Sequence, residues 1–426
     1  MKTYKKRICD ALLADELSGT GAVLIEGAKW CGKTTTAEQA AKSAIYIDEP
    51  GKFEEYDLLA HSKPERILDG ESPRLIDEWQ LTPALWDAIR YRVDHGDGQG
   101  RYILTGSSVP PETDEIKHSG AGRFSWIRMR PMSLWESCES SGEVSLAKLF
   151  AGEDPTGAAA KESDIENIAF MLCRGGWPLA CELSGKVALR RAFAYLDAVV
   201  KSDISRADGV KRDETRARRL MRSYARLQGT QSTLSVIRED LSENEPAAFG
   251  EETISSYLGA LRKIFVIEDM PAWCPNLRSK AVIRTADTRY FTDPSIAAAA
   301  LGVGPDDLLN DMRTFGLLFE TMAVRDLRVY ADALDGSVSH YHDANGLECD
   351  AIVHLRNGRF GLVEIKLGGK TLVEKGVATL NRLAGKIDLA KMKAPSFKMV
   401  LTAVGDYAYR RKEDGVIVCP LSSLKD

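Results

Sequence analysis

Gly27-Ala28-Lys29-Trp30-Cys31-Gly32-Lys33-Thr34 satisfies the spacing G-x-x-x-x-G-K-[ST], and its neighbours decide how it is read. Ahead of it, Ala22-Val23-Leu24-Ile25-Glu26 is apolar and partly β-branched, as a buried parallel strand should be; behind it, Thr34 to Ser43 predicts a helix. Strand, glycine turn and helix in that order make a phosphate-binding loop. The glycines let successive backbone N–H groups curl toward a polyphosphate, and the helix adds its positive end. The expected cradle is Gly27, Ala28, Lys29, Trp30, Cys31, Gly32, Lys33, Thr34 and Thr35. Lys33 would reach the β- and γ-phosphates and the Thr34 hydroxyl would ligate Mg²⁺.

Such a site needs an acidic half. Pro73-Arg74-Leu75-Ile76-Asp77-Glu78 reads as a short buried strand ending in two carboxylates. Asp77 is expected to hold the Mg²⁺ shell and Glu78 to polarise the attacking water. A further strand, Arg101-Tyr102-Ile103-Leu104-Thr105, delivers Gly106-Ser107-Ser108 to the same carboxyl edge of the sheet, where ligands bind in open α/β folds. Ser107 or Ser108 is placed there to sense the γ-phosphate; an ordinary strand-end turn is the other reading. The expected ligands are ATP and Mg²⁺.

At 426 residues the chain predicts two to four domains. A net charge of −5 gives no global electrostatic case for nucleic acid, so any basic surface must be local. The basic start Met1 to Arg7 is followed by Asp10, Asp15 and Glu16, which interrupt the apolar core a signal peptide needs. No window is long and apolar enough to span a membrane, so a membrane is not an expected partner. The eight cysteines form no C-x-x-C pair, which argues against a zinc site or disulfide framework and for the reducing cytoplasm.

Four segments are expected: an ATPase sheet over 1–139, a linker and helical lid over 140–205, a helical segment resembling a winged helix over 206–285, and an α/β domain over 286–426. Helices are predicted over Tyr4 to Leu17 and Pro83 to Val93, with a strand at Ala44 to Asp48. Polar residues from Glu112 to Gly122 suggest a mobile loop, and Ser140 to Ser163 a surface connection. Strands are expected at 264–267, 282–284 and 290–292.

Gly120-Ala121-Gly122-Arg123-Phe124 and Pro131-Met132-Ser133-Leu134-Trp135-Glu136 complete an ordered series with the W-C-G-K-T, D-E-W-Q and L-T-G-S-S segments. The series resembles a large prokaryotic family of AAA-type ATPases whose ATPase module is followed by a C-terminal region of unknown function. The resemblance continues through Arg174-Gly175-Gly176-Trp177-Pro178, Tyr290-Phe291-Thr292-Asp293 and Phe315 to Glu320, so it covers nearly the whole chain. It implies a cytoplasmic ATP-binding protein. In AAA-type assemblies an arginine completes a neighbouring subunit's site, which makes Arg123 the candidate, with Arg128 and Arg130 behind it, and implies a homo-oligomer. A surface arginine pairing with a local acid is the other reading of Arg123. Gly176-Trp177-Pro178 resembles a nucleotide-sensing lid element, or forms a plain tight turn.

Arg206, Lys211, Arg212, Arg216, Arg218, Arg219, Arg222 and Arg226 gather in the helical middle, either as a DNA-tracking face or as the solvated side of an amphipathic helix. Near the end, His340 to Val353 and Phe360 to Lys366 read as the two strands of a hairpin. Asp350 with Glu364-Ile365-Lys366 matches the D…E-x-K pattern of the restriction-endonuclease-like superfamily. Asp350 and Glu364 would hold Mg²⁺, Lys366 would orient the attacking water, and Glu320 on the preceding helix would supply another ligand. Turn register decides whether these residues meet. A two-residue Asn357-Gly358 loop sends Glu364 and Lys366 to the face opposite Asp350, whereas a left-handed Gly358 in a bulge pairs Asp350 with Glu364. His340 and His342 read as a strand face exposing two histidines rather than a metal pair. Two function classes follow: an ATPase coupled to a metal-dependent, nucleic-acid-processing domain, or a nucleotide-controlled switch that binds a protein or DNA partner without cutting.

Overall fold

The computed structural model describes residues 4–96, 98–108, 120–242, 250–274 and 286–426, and the chain folds into two compact units. The first holds residues 1–131 with 203–211 and 260–265; the second holds 132–202, 212–259 and 266–426. The expected loop over 112–122 and the expected strand at 282–284 fall wholly or largely outside the described residues.

The first unit is built on β1 (Ala22–Glu26), β2 (Ser43–Tyr46), β3 (Arg74–Asp77), β4 (Tyr102–Gly106) and β5 (Phe124–Arg128), in spatial order β2-β3-β4-β1-β5. Every pairing is parallel. Its helices are α1 (Ile8–Gly19), α2 (Lys33–Ala40), α3 (Phe53–Ser62), α4 (Glu65–Leu68), α5 (Leu85–His95) and α10 (Ile204–Arg206). Leu24, Ile76 and Leu104 from three adjacent strands bury against Trp79, Trp86 and Ile89. Such continuous apolar runs are what a parallel sheet covered on both faces requires. The order matters for function. Strand β4 lies between the glycine-loop strand and the acidic strand, so the carboxyl edge brings Gly27, Asp77 and Ser107 to one crevice. Strand β5, whose burial is broken at Ser125, Trp126 and Arg128, carries no apolar run in the sequence to mark it.

The second unit begins with α6 (Leu146–Ala151), α7 (Ile165–Arg174), α8 (Pro178–Cys181) and α9 (Gly185–Ala198). Next come α11 (Glu214–Arg226), α12 (Leu234–Ser242), α13 (Glu251–Lys263, of which residues 260–263 belong to the first unit), α14 (Pro294–Leu301), α15 (Pro305–Asn310) and the long α16 (Met312–Asp332). The sheet that follows is made of β7 (Gly336–His342), β8 (Glu348–Leu355), β9 (Phe360–Lys366), β10 (Phe397–Thr402), β11 (Tyr409–Arg410) and β12 (Ile417–Pro420), in order β11-β12-β10-β9-β8-β7. Strands β7, β8 and β9 run antiparallel, and α17 (Lys370–Lys386) carries the chain over to β10, which is parallel to β9. Leu380 and Leu383 of α17 bury against Phe360, Leu362 and Val400.

Several expectations are corrected here. The segment 140–163 is not a bare surface connection: β6 (Val144–Ser145) pairs with the final strand β13 (Leu424–Lys425), and Leu146, Leu149 and Phe150 are buried. Composition rich in Gly, Ser and acids concealed this short apolar island. Helices α11, α12 and α13 do follow one another, but the expected strand pair is reduced to isolated bridges, Ile267 with Phe291 and Met270 with Thr288. The stretch from His340 to Val353 is two strands, β7 ending at His342 and β8 starting at Glu348, with the chain reversing at Asp343 to Leu347.

Candidate functional site

Within the first unit the loop closes tightly against β5. A Cβ on Gly27 would lie 2.0 Å from the Met129 carbonyl oxygen, so only glycine fits, and Gly32 takes a left-handed φ of 102° as it caps α2. Ala28 and Cys31 are buried beneath the loop, Trp30 is half exposed, and Lys29 pairs with Asp203 at 2.6 Å. Lys33 is buried and its Nζ donates to the Gly27 and Ala28 carbonyls at 2.9 and 3.0 Å. Its ammonium thus lies folded over the loop, where a phosphate would replace the two carbonyls. Thr35 points outward from α2.

The acidic half meets this loop directly. Thr34 Oγ1 donates to Asp77 Oδ1 at 2.8 Å, and Thr105 at the end of β4 donates to the same oxygen. Burial raises the Asp77 carboxyl above the usual range, and these two hydroxyls offset only part of the rise. Glu78 follows in a left-handed conformation, φ 52° and ψ 41°, and its Oε2 accepts from Ser107 Oγ at 3.0 Å and from Gln80 Nε2. The Thr34 hydroxyl and the Asp77 carboxylate facing the glycine loop form a hard-oxygen donor set, which fits Mg²⁺ held mainly by substrate phosphates, with the Lys33 ammonium left to the phosphates themselves. Among the described residues no group of three or more His, Cys, Asp or Glu side chains is arranged to hold a metal ion, and the expected ligands Glu320, Asp350 and Glu364 of the second unit are no exception.

Arg123 is not brought to this crevice. It precedes β5, its carbonyl accepts from Ala22 at the amino end of β1, and its guanidinium pairs with Asp94 at 2.6 Å. A strand of five residues puts it about 15 Å from the loop at the other end of the sheet. Within one chain it is a surface arginine paired with a local acid. Arg128, by contrast, ends β5 beside the loop, pairs with Glu26 at 2.8 Å and lies over the Phe265 ring.

In the second unit the hairpin adopts the bulged register. Gly358 has φ 79°, the Leu355 N–H donates to the Arg359 carbonyl at 2.9 Å, and the ladder runs from His354 with Phe360 to Ala351 with Val363, the residues next to Asp350 and Glu364. Lys366 Nζ stands between the carboxylates, 2.8 Å from Asp350 Oδ2 and 2.7 Å from Glu364 Oε2. Asp350 Oδ2 also accepts the Ile365 N–H at 2.7 Å. Burial would lower the Lys366 ammonium, but the two carboxylates raise it. Glu320 feels the charges of all three and accepts from the buried Tyr290 hydroxyl. Burial, reinforced by Asp350, pushes the carboxyls of Glu320 and Glu364 up to about 8. His340 Nδ1 donates to the Met270 carbonyl and His342 faces Gln231, so neither joins this cluster.

Residues 20–138 match the family described as AAA domain. The matched stretch spans the five-stranded sheet, the glycine loop and the acidic strand of the first unit. Residues 165–307 match a domain of unknown function (DUF8612) and residues 315–424 another (DUF4143), so the expected order of an AAA module ahead of an unassigned C-terminal domain holds. The chain is 22% identical over 363 residues to the uncharacterized protein Rv2008c of Mycobacterium tuberculosis, covering 85% of this chain and 74% of the relative. Mb2031c of Mycobacterium bovis matches to the same extent. Among solved structures, the Walker-type ATPase PABY2304 of Pyrococcus abyssi shares 15% identity at a TM-score of 0.43, covering 70% of this chain and 96% of that one. That score is too low to transfer its fold. No helix among the described residues is long and apolar enough to cross a membrane.

Two groups of residues went unnoticed in the sequence. Buried Arg7 donates to the Cys31 and Arg130 carbonyls, both at 2.8 Å, and so ties the phosphate loop to the end of β5. An arginine in a basic N-terminal run gives no sign of such burial. The second group is a buried node in the second unit. Arg325 contacts Asp293 at 2.8 Å and Asp326 at 2.7 Å, while Asp326 accepts the Leu134 N–H and Asp293 accepts the Gly176 N–H. Three of the motif segments therefore converge for packing. Gly176-Trp177-Pro178 is a tight turn in this node, with Trp177 buried and donating to Ser295 Oγ at 2.9 Å. The arginines of α11 are also engaged within the chain: Arg218 by Asp197, Arg226 by Asp240, and Arg222 by the Leu301 carbonyl.

Proposed function

We propose that the first unit binds Mg²⁺-ATP and hydrolyses it. The observation that carries this reading is the 2.8 Å hydrogen bond from Thr34 to Asp77, which brings the glycine loop and the acidic strand together across the intervening β4. Loop amides and Lys33 bind the β- and γ-phosphates; Thr34 and Asp77 would hold the cation. Mg²⁺, when bound, neutralises charge on the β- and γ-oxygens. Water oxygen attacks the γ-phosphorus, the bond to the bridging oxygen breaks, ADP leaves, and Glu78 orients the water and receives its proton. Steady-state phosphate release tests the assignment. Glu78→Gln should retain Mg²⁺-ATP binding and lose turnover by about 10²-fold or more; undiminished turnover removes Glu78 from the mechanism.

A second reading concerns the second unit, which we propose to be a restriction-endonuclease-like domain with Asp350, Glu364 and Lys366 as its centre and Glu320 as an outer carboxylate. The bulged register favours it, because the alternative turn would separate these side chains. Oxygen ligands of this kind suit Mg²⁺ or Mn²⁺. Divalent-cation-dependent cutting of DNA or RNA that disappears in Lys366→Ala would support it. Salt-sensitive binding without cleavage would favour a nucleotide-controlled switch instead.

A further inference from the structure

We propose that Gln80 is a positioning residue for ATP hydrolysis: it holds the Glu78 carboxylate in its working orientation from a seat that Gly106 keeps open. The inference rests on the reading of the first unit as an ATPase and adds to it a residue that phosphate-loop chemistry does not call for. Glu78 leaves β3 through a left-handed backbone, so its side chain is not held by strand pairing. Two donors hold it instead, Gln80 Nε2 from the turn after β3 and Ser107 Oγ from the turn after β4, and both take the same oxygen, Oε2. That arrangement fixes the plane of the carboxylate and leaves Oε1 to receive the water. Because a carboxylate only accepts, the Gln80 amide must present its NH₂, and its Oε1 is turned into the protein, buried without a hydrogen-bond partner.

An amide held with one buried oxygen unsatisfied costs free energy that a purely structural contact would not need to bear. The neighbouring strand is shaped for it. A Cβ at Gly106 would lie 2.9 Å from Gln80 Oε1 and 3.3 Å from Trp79 Nε1. Gly106 does not need glycine for its backbone conformation, since it ends β4 with an ordinary strand φ. The missing side chain is therefore explained by the amide lying over it. The Gln of D-E-W-Q and the Gly of L-T-G-S-S form one interlocking contact behind the general base.

Two variants test this in the full-length chain. Gln80→Leu removes the donor, and Gly106→Ala displaces the flexible end of Gln80 without altering any group that touches nucleotide. Misplacing a general base by ~1 Å forfeits about 10²-fold, so kcat for Mg²⁺-ATP should fall about 10- to 100-fold in each variant, with KM, nucleotide affinity and melting temperature kept. In Glu78→Gln, adding Gln80→Leu should not lower the residual rate further, because Gln80 acts through Glu78. A kcat within about twofold of wild type in folded Gly106→Ala, or an additive loss on Glu78→Gln, would overturn the assignment while leaving the ATPase reading intact. Absence of turnover in the wild-type protein would overturn both.

Discussion

Replacing Arg325 by methionine tests how the second unit is held together. The guanidinium is 2% exposed and lies between Asp293 and Asp326, whose side chains are fully buried. Its Nη1 meets Asp293 Oδ2 at 2.8 Å, and its Nε and Nη2 meet Asp326 Oδ1 at 2.9 and 2.7 Å. Methionine fills most of the volume but leaves two carboxylates with only backbone and hydroxyl donors. Breaking a buried pair from one side costs about 3–5 kcal/mol, and that is the expected loss for this unit. The expected loss should also depend on pH. Burial already pushes Asp326 up to about 6 with the arginine present, and removing the cation raises it further. A carboxyl raised above its unfolded value contributes stability that is lost as pH rises through the folded value. The variant should therefore lose stability more steeply than wild type between about pH 4 and 7. Adding Asp326→Asn should recover part of the loss, since it removes an uncompensated charge. Urea unfolding followed by circular dichroism, with the transitions of the two units fitted separately, measures all three. A loss below about 1 kcal/mol would refute the view that this ion triad anchors the three motif segments.

Arg7→Met should weaken Mg²⁺-ATP binding about tenfold through loss of two charge-assisted hydrogen bonds, one to the loop carbonyl of Cys31 and one to the Arg130 carbonyl after β5, while the second unit's unfolding transition stays in place; titration calorimetry reads the first and urea unfolding the second. The acidic cluster predicts its own pH dependence. Glu320 and Glu364 are raised from 4.5 to about 8, so the native state binds protons more tightly than the unfolded chain in that interval. Stability of the second unit should fall as pH rises toward and through 8, by about 1–3 kcal/mol, and Glu364→Gln should flatten the slope; a rising thermal-melt profile would contradict this.

The crevice at the glycine loop was legible because phosphate chemistry demands glycines, a lysine and a hydroxyl at fixed spacing within one strand-turn-helix. Asp77 could be read for a similar reason, as a carboxylate ending an apolar strand. The hairpin register was legible as a choice, since Gly358 can take the left-handed conformation that pairs Ala351 with Val363 and leaves Asp350 and Glu364 both within reach of Lys366. What failed depended on long-range partners. Val144 and Ser145 form a strand only because Leu424 and Lys425, far along the chain, pair with them. Arg7 and Arg325 look like ordinary surface cations until the fold buries them.

Isothermal titration of the purified chain with Mg²⁺-ATP, alongside Lys33→Ala, tests the central claim most directly. Saturable heat in the wild-type protein that vanishes in a folded Lys33→Ala is the predicted result. Equal heats in the two proteins, or none in well-folded wild type, would contradict the assignment of the glycine loop as a triphosphate site.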